Sequence, residues 1–358
     1  MALKADTGDD VYMRRCIELA LKGQGFTRPN PVVGSVIVCQ GKIIGEGFHM
    51  KAGGPHAEVN AINSVADSSL LKQSTLYVTL EPCSHYGKTP PCADLIIEKG
   101  IKRVVAGTTD TTAKVAGRGF ERLRGAGVEV TTGVLETECR NINKRFFTFH
   151  EKMRPYVILK WAQSADGFID LIRKPGDAAE PNWITGPVER VLVHRWRAEE
   201  DALLAGGETV RKDNPALNVR FWSGPDPVKV IVTKNARLPL DSKIFDNPDN
   251  LLLFTSSAAT DLPGKHIITS DAGIPAGEIL NGLYENGIQS VIVEGGATVL
   301  SAFISTGLWD EARIFTGRNS FGAGVKAPLI GGMSTGVHQF PASSLEIRVN
   351  EGAQTMII

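Results

Sequence analysis

The 358-residue chain has no apolar run approaching the roughly 20 residues that cross a bilayer, which excludes a membrane-spanning helix. Its opening stretch, MALKADTGDDVYMRR, lacks the apolar core of a secretory signal. Neither charge is in excess. Lys and Arg number 39, as do Asp and Glu, so no basic stripe is signalled and a nucleic-acid polymer is not the expected ligand. Cysteine is scarce and odd in number. Cys16, Cys39, Cys83, Cys92 and Cys139 are widely spaced, which does not build a disulfide framework and suits a reducing compartment. There is no internal repeat and no low-complexity tail. These absences lead to the expectation of a cytoplasmic protein with neither a membrane nor a nucleic acid as partner. What remains, 42% apolar and 22% charged residues, is a globular composition long enough for two domains.

Hydrophobic spacing predicts a helix over residues 10–24, strands over 32–38 and 43–48, a helix over 56–65 and a strand over 75–80. A helix carrying Cys92, Leu95 and Ile96 comes after Pro90-Pro91. Strands at 103–106 and 128–130 flank a Gly-bounded helix, and 135–149 reads as one long closing helix. This order predicts a three-layer α/β domain over residues 1–150. A second α/β pattern fills 151–358, with strands expected at 156–160, 202–205, 228–232, 251–254 and 290–293. Its helices are expected at 187–197, 274–286 and 298–305, and the polar stretch 176–182 reads as a mobile loop.

The chemistry is concentrated in His56-Ala57-Glu58, Pro82-Cys83 and Cys92. One His and two Cys can hold a Zn²⁺ and leave its fourth position open for water, whereas structural zinc sites normally have four protein ligands. His85, between the cysteines, is the one candidate for such a fourth ligand. Glu58 argues for the catalytic alternative, because a structural site has no use for a neighbouring acid. A Zn²⁺ held there would acidify a water. Glu58 would then carry protons to a ring nitrogen and to a leaving amine, as in hydrolytic deamination of a nucleobase-like ring. Helix N–H groups beginning near Pro91 are expected to favour Cys92 as a thiolate.

The second half lacks a G-x-G-x-x-G after its first strand, so a Rossmann dinucleotide site is not signalled. It does carry Gly206-Gly207 and Gly295-Gly296, each shortly after an expected strand. Either turn is open to two readings, a phosphate-binding helix start or a purely structural turn.

Several longer segments resemble the bacterial bifunctional riboflavin-biosynthesis deaminase–reductase family. They are Thr27-Arg28-Pro29-Asn30-Pro31-Val32-Val33-Gly34, Pro55-His56-Ala57-Glu58-Val59, the run from Leu80 to Cys92, and Val115-Ala116-Gly117-Arg118-Gly119. In the second half they are Lys160 to Gly167, Trp183-Ile184-Thr185, Thr209 to Arg220 and Glu294-Gly295-Gly296. The resemblance implies an N-terminal cytidine-deaminase-like domain and a C-terminal α/β domain similar to dihydrofolate reductases. It implies hydrolysis of the 2-amino group of 2,5-diamino-6-ribosylamino-4(3H)-pyrimidinone 5′-phosphate. NADPH-dependent reduction to 5-amino-6-(5-phospho-D-ribitylamino)uracil would come next.

For the site residues, the resemblance places one Zn²⁺ on His56, Cys83 and Cys92, with Glu58 in proton transfer. It places Asn30 and His49 at the pyrimidine and retains Asp110 as a ribose or ring contact, while Lys88 is a candidate phosphate contact on charge grounds alone. In the reductase it places Ala162, Trp183, Thr209, Asp213 and the segment Gly296, Ala297, Thr298, Val299, Leu300, Ser301 and Ala302 near NADPH. Lys160, Arg197, Leu217, Arg220 and Glu294 go near the reductase substrate, and Arg197 and Arg220 suit phosphate because their guanidinium forks match its oxygens. Self-association is implied, a dimer in preference to a tetramer.

Some segments depart from the family pattern. Asp110-Thr111-Thr112-Ala113-Lys114 stands where the family often has Asp-Pro-Asn-Pro. Ser164-Ala165-Asp166-Gly167 has Ala for the usual Leu, and Pro181-Asn182 precedes Trp183 where a Ser is common. Two competing readings are a deaminase whose second half is only structural, and a nucleoside or RNA deaminase. The neutral charge and the long Cys83–Cys92 spacing argue against the latter.

Overall fold

The computed structural model describes residues 8–86, 90–112, 116–172, 183–257, 261–270 and 274–353. The chain divides into two compact units, residues 1–151 and 152–358. Among the described residues no helix is long and apolar enough to cross a membrane.

The first unit runs α1 (Gly8–Leu21), β1 (Gly34–Cys39), β2 (Lys42–Phe48), α2 (Ala57–Asn63), β3 (Thr75–Leu80), α3 (Cys92–Glu98), β4 (Arg103–Thr108), α4 (Arg118–Gly125), β5 (Glu129–Thr132), α5 (Glu136–Ile142) and α6 (Lys144–Lys152). Its sheet has the order β2-β1-β3-β4-β5, with β1 antiparallel to both neighbours and β3, β4 and β5 parallel. The central strands are apolar on both faces because helices cover both. Val36, Val38, Tyr77 and Val105 pack with Met13 and Cys16 of α1 and Cys139 of α5. The alternate residues Ile37, Leu76, Val78, Val104 and Ala106 pack with Ile62, Ile96 and Leu123 of α2, α3 and α4. The two-residue side-chain period of a strand makes this division automatic.

The closing helix expected over 135–149 is instead two helices, α5 and α6, broken at Asn143. The Asn143 side chain accepts from Val32 N–H and donates to Val32 carbonyl oxygen, both at 2.8 Å. A buried amide that completes the backbone bonding of a neighbouring segment outcompetes the continuous helix pattern.

The second unit runs β6 (Tyr156–Gln163), β7 (Phe168–Asp170), α7 (Pro187–Glu199), β8 (Ala202–Gly206), α8 (Gly207–Asp213), β9 (Val228–Thr233), β10 (Leu251–Thr255), β11 (Lys265–Ile268), α9 (Ala276–Glu285), β12 (Ser290–Val293), α10 (Ala297–Ser305), β13 (Glu311–Gly317), β14 (Val325–Lys326), β15 (Met333–Gln339) and β16 (Ser343–Val349). Nine strands form one sheet in the order β11-β10-β9-β8-β12-β6-β13-β16-β15, and β7 pairs with β14. From β11 to β13 neighbouring strands are parallel, and β16 and β15 add an antiparallel edge.

One face of this sheet packs on α9 and α10 through Ile279, Leu283, Leu300 and Phe303. The other packs on α7 and α8 through Val193, Trp196 and Val210. The strands β13, β15 and β16 and the helix α8 were not anticipated. β13 opens with the charged residues Glu311 and Arg313, which are buried and hide its apolar alternation. β15, MSTGVHQ, is an almost wholly exposed edge and carries little apolar signal.

Candidate active sites

In the first unit, two proline-marked turns and one helix start bring the metal-binding residues together. His56 is the residue immediately before α2, in extended backbone, and Glu58 lies in the first turn of that helix. Cys83 comes after the end of β3, and Cys92 opens α3 after Pro91. The His56 Nδ1 atom lies 3.6 Å from Cys83 Sγ and 3.3 Å from Cys92 Sγ. Zinc bonds of about 2.0 Å to nitrogen and about 2.3 Å to sulfur at a tetrahedral angle require roughly 3.5 Å between donors. The donor set therefore fits a Zn²⁺ in both chemistry and spacing. Among the described residues, His56, Cys83 and Cys92 form the one group of this kind. His85 lines the same cavity but is not part of the donor group, so the four-ligand structural alternative has no fourth ligand there.

The cavity beside these residues measures about 220 Å³ and is lined by Asn30, His49, Glu58, Glu81, Asp110 and Phe146 among others. Glu58 is buried, and burial pushes its carboxyl up to about 7, with the negative charge of Cys83 acting in the same direction and His56 opposing. An acid balanced near neutrality can both take and return a proton. His49 Nδ1 lies 3.0 Å from the Pro55 carbonyl oxygen, and His49 Nε2 lies 3.1 Å from Asn30 Nδ2. A carbonyl oxygen only accepts, so Nδ1 carries the proton and Nε2 accepts from the Asn30 amide. Burial lowers the His49 pKa, which keeps the ring neutral in this arrangement. The structure thus brings Asn30, His49 and Asp110 into one cavity with Glu58. Lys88 lies outside the described residues.

The expectation for Cys92 is corrected. The backbone N–H that opens α3 is that of Cys92 itself, and it donates to Cys83 Sγ at 3.2 Å. Hydrogen bonding from the Cys92 thiol holds the Cys83 thiol well below its usual range, and the same bond raises that of Cys92. The helix start is thus aimed at Cys83 and not at Cys92.

In the second unit, Lys160 on β6, Glu294 just beyond β12 and Arg197 on α7 meet on one face of the sheet. Arg197 donates to both carboxylate oxygens of Glu294, at 3.3 and 2.6 Å, and to the Asn218 carbonyl oxygen at 3.2 Å. Lys160 Nζ stands 3.9 Å from the same carboxylate. Although burial opposes it, the positive charges of Arg197 and Lys160 hold Glu294 down to about 2, whereas burial lowers the Lys160 ammonium. Arg197 is committed to these partners, which leaves the exposed Arg220 as the more available cation for a phosphate. Leu217 is buried in the core beneath α7 and α8, and its left-handed backbone (φ 48°) turns the chain toward Arg220.

Sequence reasoning missed His194. Its Nδ1 accepts the Arg220 backbone N–H at 3.0 Å, and the Phe221 ring stands edge-on at 4.8 Å between centroids. The three-residue spacing from His194 to Arg197 on one helix was the available signal.

The Gly-Gly turns occupy comparable places at neighbouring strands. β8 runs through Gly206-Gly207 into α8, and Gly295-Gly296 leads from β12 into α10. A side chain on Gly296 would come within 3.9 Å of Thr209 Oγ1, so the two helix starts lie side by side at the ends of adjacent strands. Gly296 precedes α10, and Ala297, Thr298, Val299, Leu300, Ser301 and Ala302 are its first six residues. Val299 and Leu300 are buried in the core, while Thr298 and Ser301 are exposed. Thr209 lies in α8 and Asp213 at its end. Ala162 lies near the end of β6. Trp183 is exposed, with the Arg190 guanidinium 4.6 Å over its ring. Pro181 and Asn182, and Ala113 to Val115, lie outside the described residues, as does the whole of the expected mobile loop over 176–182.

Residues 155–347 match the RibD C-terminal domain, and residues 6–108 match the cytidine and deoxycytidylate deaminase zinc-binding region. The riboflavin biosynthesis protein RibD of Aquifex aeolicus is 40% identical over 323 residues, covering 88% of this chain and 89% of that protein. The chain belongs to the RibD family. RibD of Bacillus amyloliquefaciens is also 40% identical, over 338 residues that cover 90% of this chain and 88% of its own length. Among solved structures, the Thermotoga maritima diaminohydroxyphosphoribosylaminopyrimidine deaminase/5-amino-6-(5-phosphoribosylamino)uracil reductase superposes with a TM-score of 0.84 at 39% identity, covering 96% of this chain and 99% of that one. Acinetobacter baumannii RibD superposes with a TM-score of 0.85 at 35% identity, covering 96% and 98%. As a RibD family member the chain is a bifunctional deaminase/reductase. Its N-terminal domain is cytidine-deaminase-like and carries the metal-binding cluster, and its C-terminal reductase domain is dihydrofolate-reductase-like.

Proposed function

We propose that the first unit deaminates 2,5-diamino-6-ribosylamino-4(3H)-pyrimidinone 5′-phosphate and that the second reduces the product with NADPH to 5-amino-6-(5-phospho-D-ribitylamino)uracil. The observation that carries the first step is the buried Glu58 beside an open three-donor group at the edge of a cavity. A Zn²⁺ held by His56, Cys83 and Cys92 would supply the Lewis acidity that makes a water nucleophilic near neutral pH. Glu58 takes the two protons of the attacking water in turn, passing the first to the ring nitrogen and the second to the departing amine, so ammonia leaves and a ring carbonyl remains. Asn30 and His49, locked to each other and to Pro55, present a fixed polar edge to the pyrimidine.

In the second unit the paired helix starts after Gly206-Gly207 and Gly295-Gly296 support binding of a dinucleotide pyrophosphate. NADPH held there would supply the hydride for C1′ of the ring-opened imine. Lys160, Glu294 and Arg197 hold the sugar in line, and Arg220 faces the phosphate.

The test is incubation of the zinc-loaded protein with the diamino pyrimidine phosphate, with and without NADPH. Ammonia release without NADPH, then NADPH oxidation and ribityl product on its addition, is the expected result. Ammonia release with no reduction would limit the activity to deamination. No turnover of the diamino compound would remove the substrate assignment.

A further inference from the structure

We propose that Glu81 is a positioning residue of the deaminase, whose carboxylate ties Asp110, Gly117 and the first turn of α4 to the strand end carrying Cys83 and so sets the substrate-facing wall. Three backbone N–H groups, those of Asp110, Gly117 and Gly119, converge on it. Oε2 accepts from Asp110 at 3.3 Å and from Gly117 at 2.9 Å, and Oε1 accepts from Gly119 at 2.8 Å. The Glu81 main chain is fixed in turn, because its N–H donates to the Thr108 carbonyl oxygen at 3.0 Å. Glu81 is 4% exposed, so these bonds do not compete with bulk water.

Gly119 lies directly on the strand end. A side chain at Gly119 would run into the Pro82 carbonyl oxygen, and Gly117 has the left-handed backbone (φ 84°) that a residue with a side chain rarely adopts. The tie is made at Asp110, Gly117 and Gly119. Its consequence reaches the site, since Glu81, Asp110 and Thr112 all line the cavity, and Asp110 Oδ1 accepts the Thr112 N–H at 2.7 Å. Glu81 is not one of the metal-donor residues. Its effect is on where Asp110 and Thr112 stand.

The kinetic consequence rests on the proposed diamino pyrimidine phosphate as substrate. The experiment compares Glu81→Gln and Glu81→Ala with the unsubstituted full-length protein, all zinc-loaded. Gln keeps the volume and one acceptor oxygen, and Ala keeps neither. The deaminase KM is expected to rise about tenfold in Glu81→Gln and further in Glu81→Ala, with kcat within about twofold. Zinc content and the reduction of separately supplied deaminated substrate are expected to stay unchanged, which also reports that each variant is folded. An unchanged KM in Glu81→Gln and Glu81→Ala, or a fall in kcat that tracks loss of zinc, would overturn the proposal. Amide hydrogen exchange at Asp110, Gly117 and Gly119 tests the tie without substrate. Faster exchange in Glu81→Gln supports it even if the diamino compound is not turned over by the unsubstituted protein, and equal exchange overturns it.

Discussion

His194 and Arg197 stand one turn apart on α7, in different surroundings. Arg197 is paired with Glu294. His194 is buried among the positive charges of Arg197, Arg220 and Lys160. Burial first, then Arg197 and Arg220, push it down to about 4, with only Glu294 opposing. The folded ring is therefore neutral where an unfolded histidine, with an ordinary value near 6.5, takes up a proton. The unfolded chain binds more protons between these values, so His194 costs stability as pH falls from about 6.5 to about 4 and adds no further loss below that. All five tryptophans, Trp161, Trp183, Trp196, Trp222 and Trp309, lie in the second unit, so urea unfolding monitored by tryptophan fluorescence reports that unit alone. The expected result is a midpoint that drops across this pH window, with the drop reduced in His194→Asn. An equal pH slope in the variant would show that other groups carry it. His56, Cys83, Cys92 and Glu58 were legible because their chemistry is written in short motifs. His194 was not, because its meaning depends on Arg220, whose place is set by the turn at Leu217.

At the scale of elements, the junction of α5 and α6 shows how a polar side chain can overrule a helix pattern. Asn143 satisfies both backbone groups of Val32, beside Pro31 and Val33 in the cavity lining. Asn143→Ala would leave a buried N–H and a buried carbonyl without these partners. A loss of about 2 kcal/mol in the stability of the first unit is expected, measured by urea unfolding with circular dichroism. A change under about 0.5 kcal/mol would show that the junction relaxes to satisfy them. The central deaminase strands were readable as short apolar runs, and the observed β3 has the expected bounds, Thr75–Leu80. The antiparallel edge formed by β16 and β15 was not readable, since an exposed edge strand has no apolar face to announce it.

At the scale of the molecule, the metal-binding donors lie wholly in residues 1–151, and the Lys160–Arg197–Glu294 cluster lies wholly in 152–358. Loss of one chemistry should leave the other. Glu58→Gln is expected to lower deamination by about 10²–10⁴-fold, and chelation of the metal to abolish it. Reduction of separately supplied deaminated substrate should continue at an unchanged rate in both cases. Parallel loss of reduction would show that the second unit depends on the metal-bearing one for its activity.

The sequence by itself determined the α/β fold class and pointed to His56, Cys83 and Cys92 as one donor group, because apolar runs and short motifs act through neighbours along the chain. Tertiary structure alone decided which sulfur the α3 start favours, that Glu81 gathers three backbone N–H groups, and that Arg197 is held by Glu294 and Asn218. Those outcomes depend on groups 9 to 97 positions apart meeting in buried surroundings, where an unpaired polar atom is costly and the available partner decides the role.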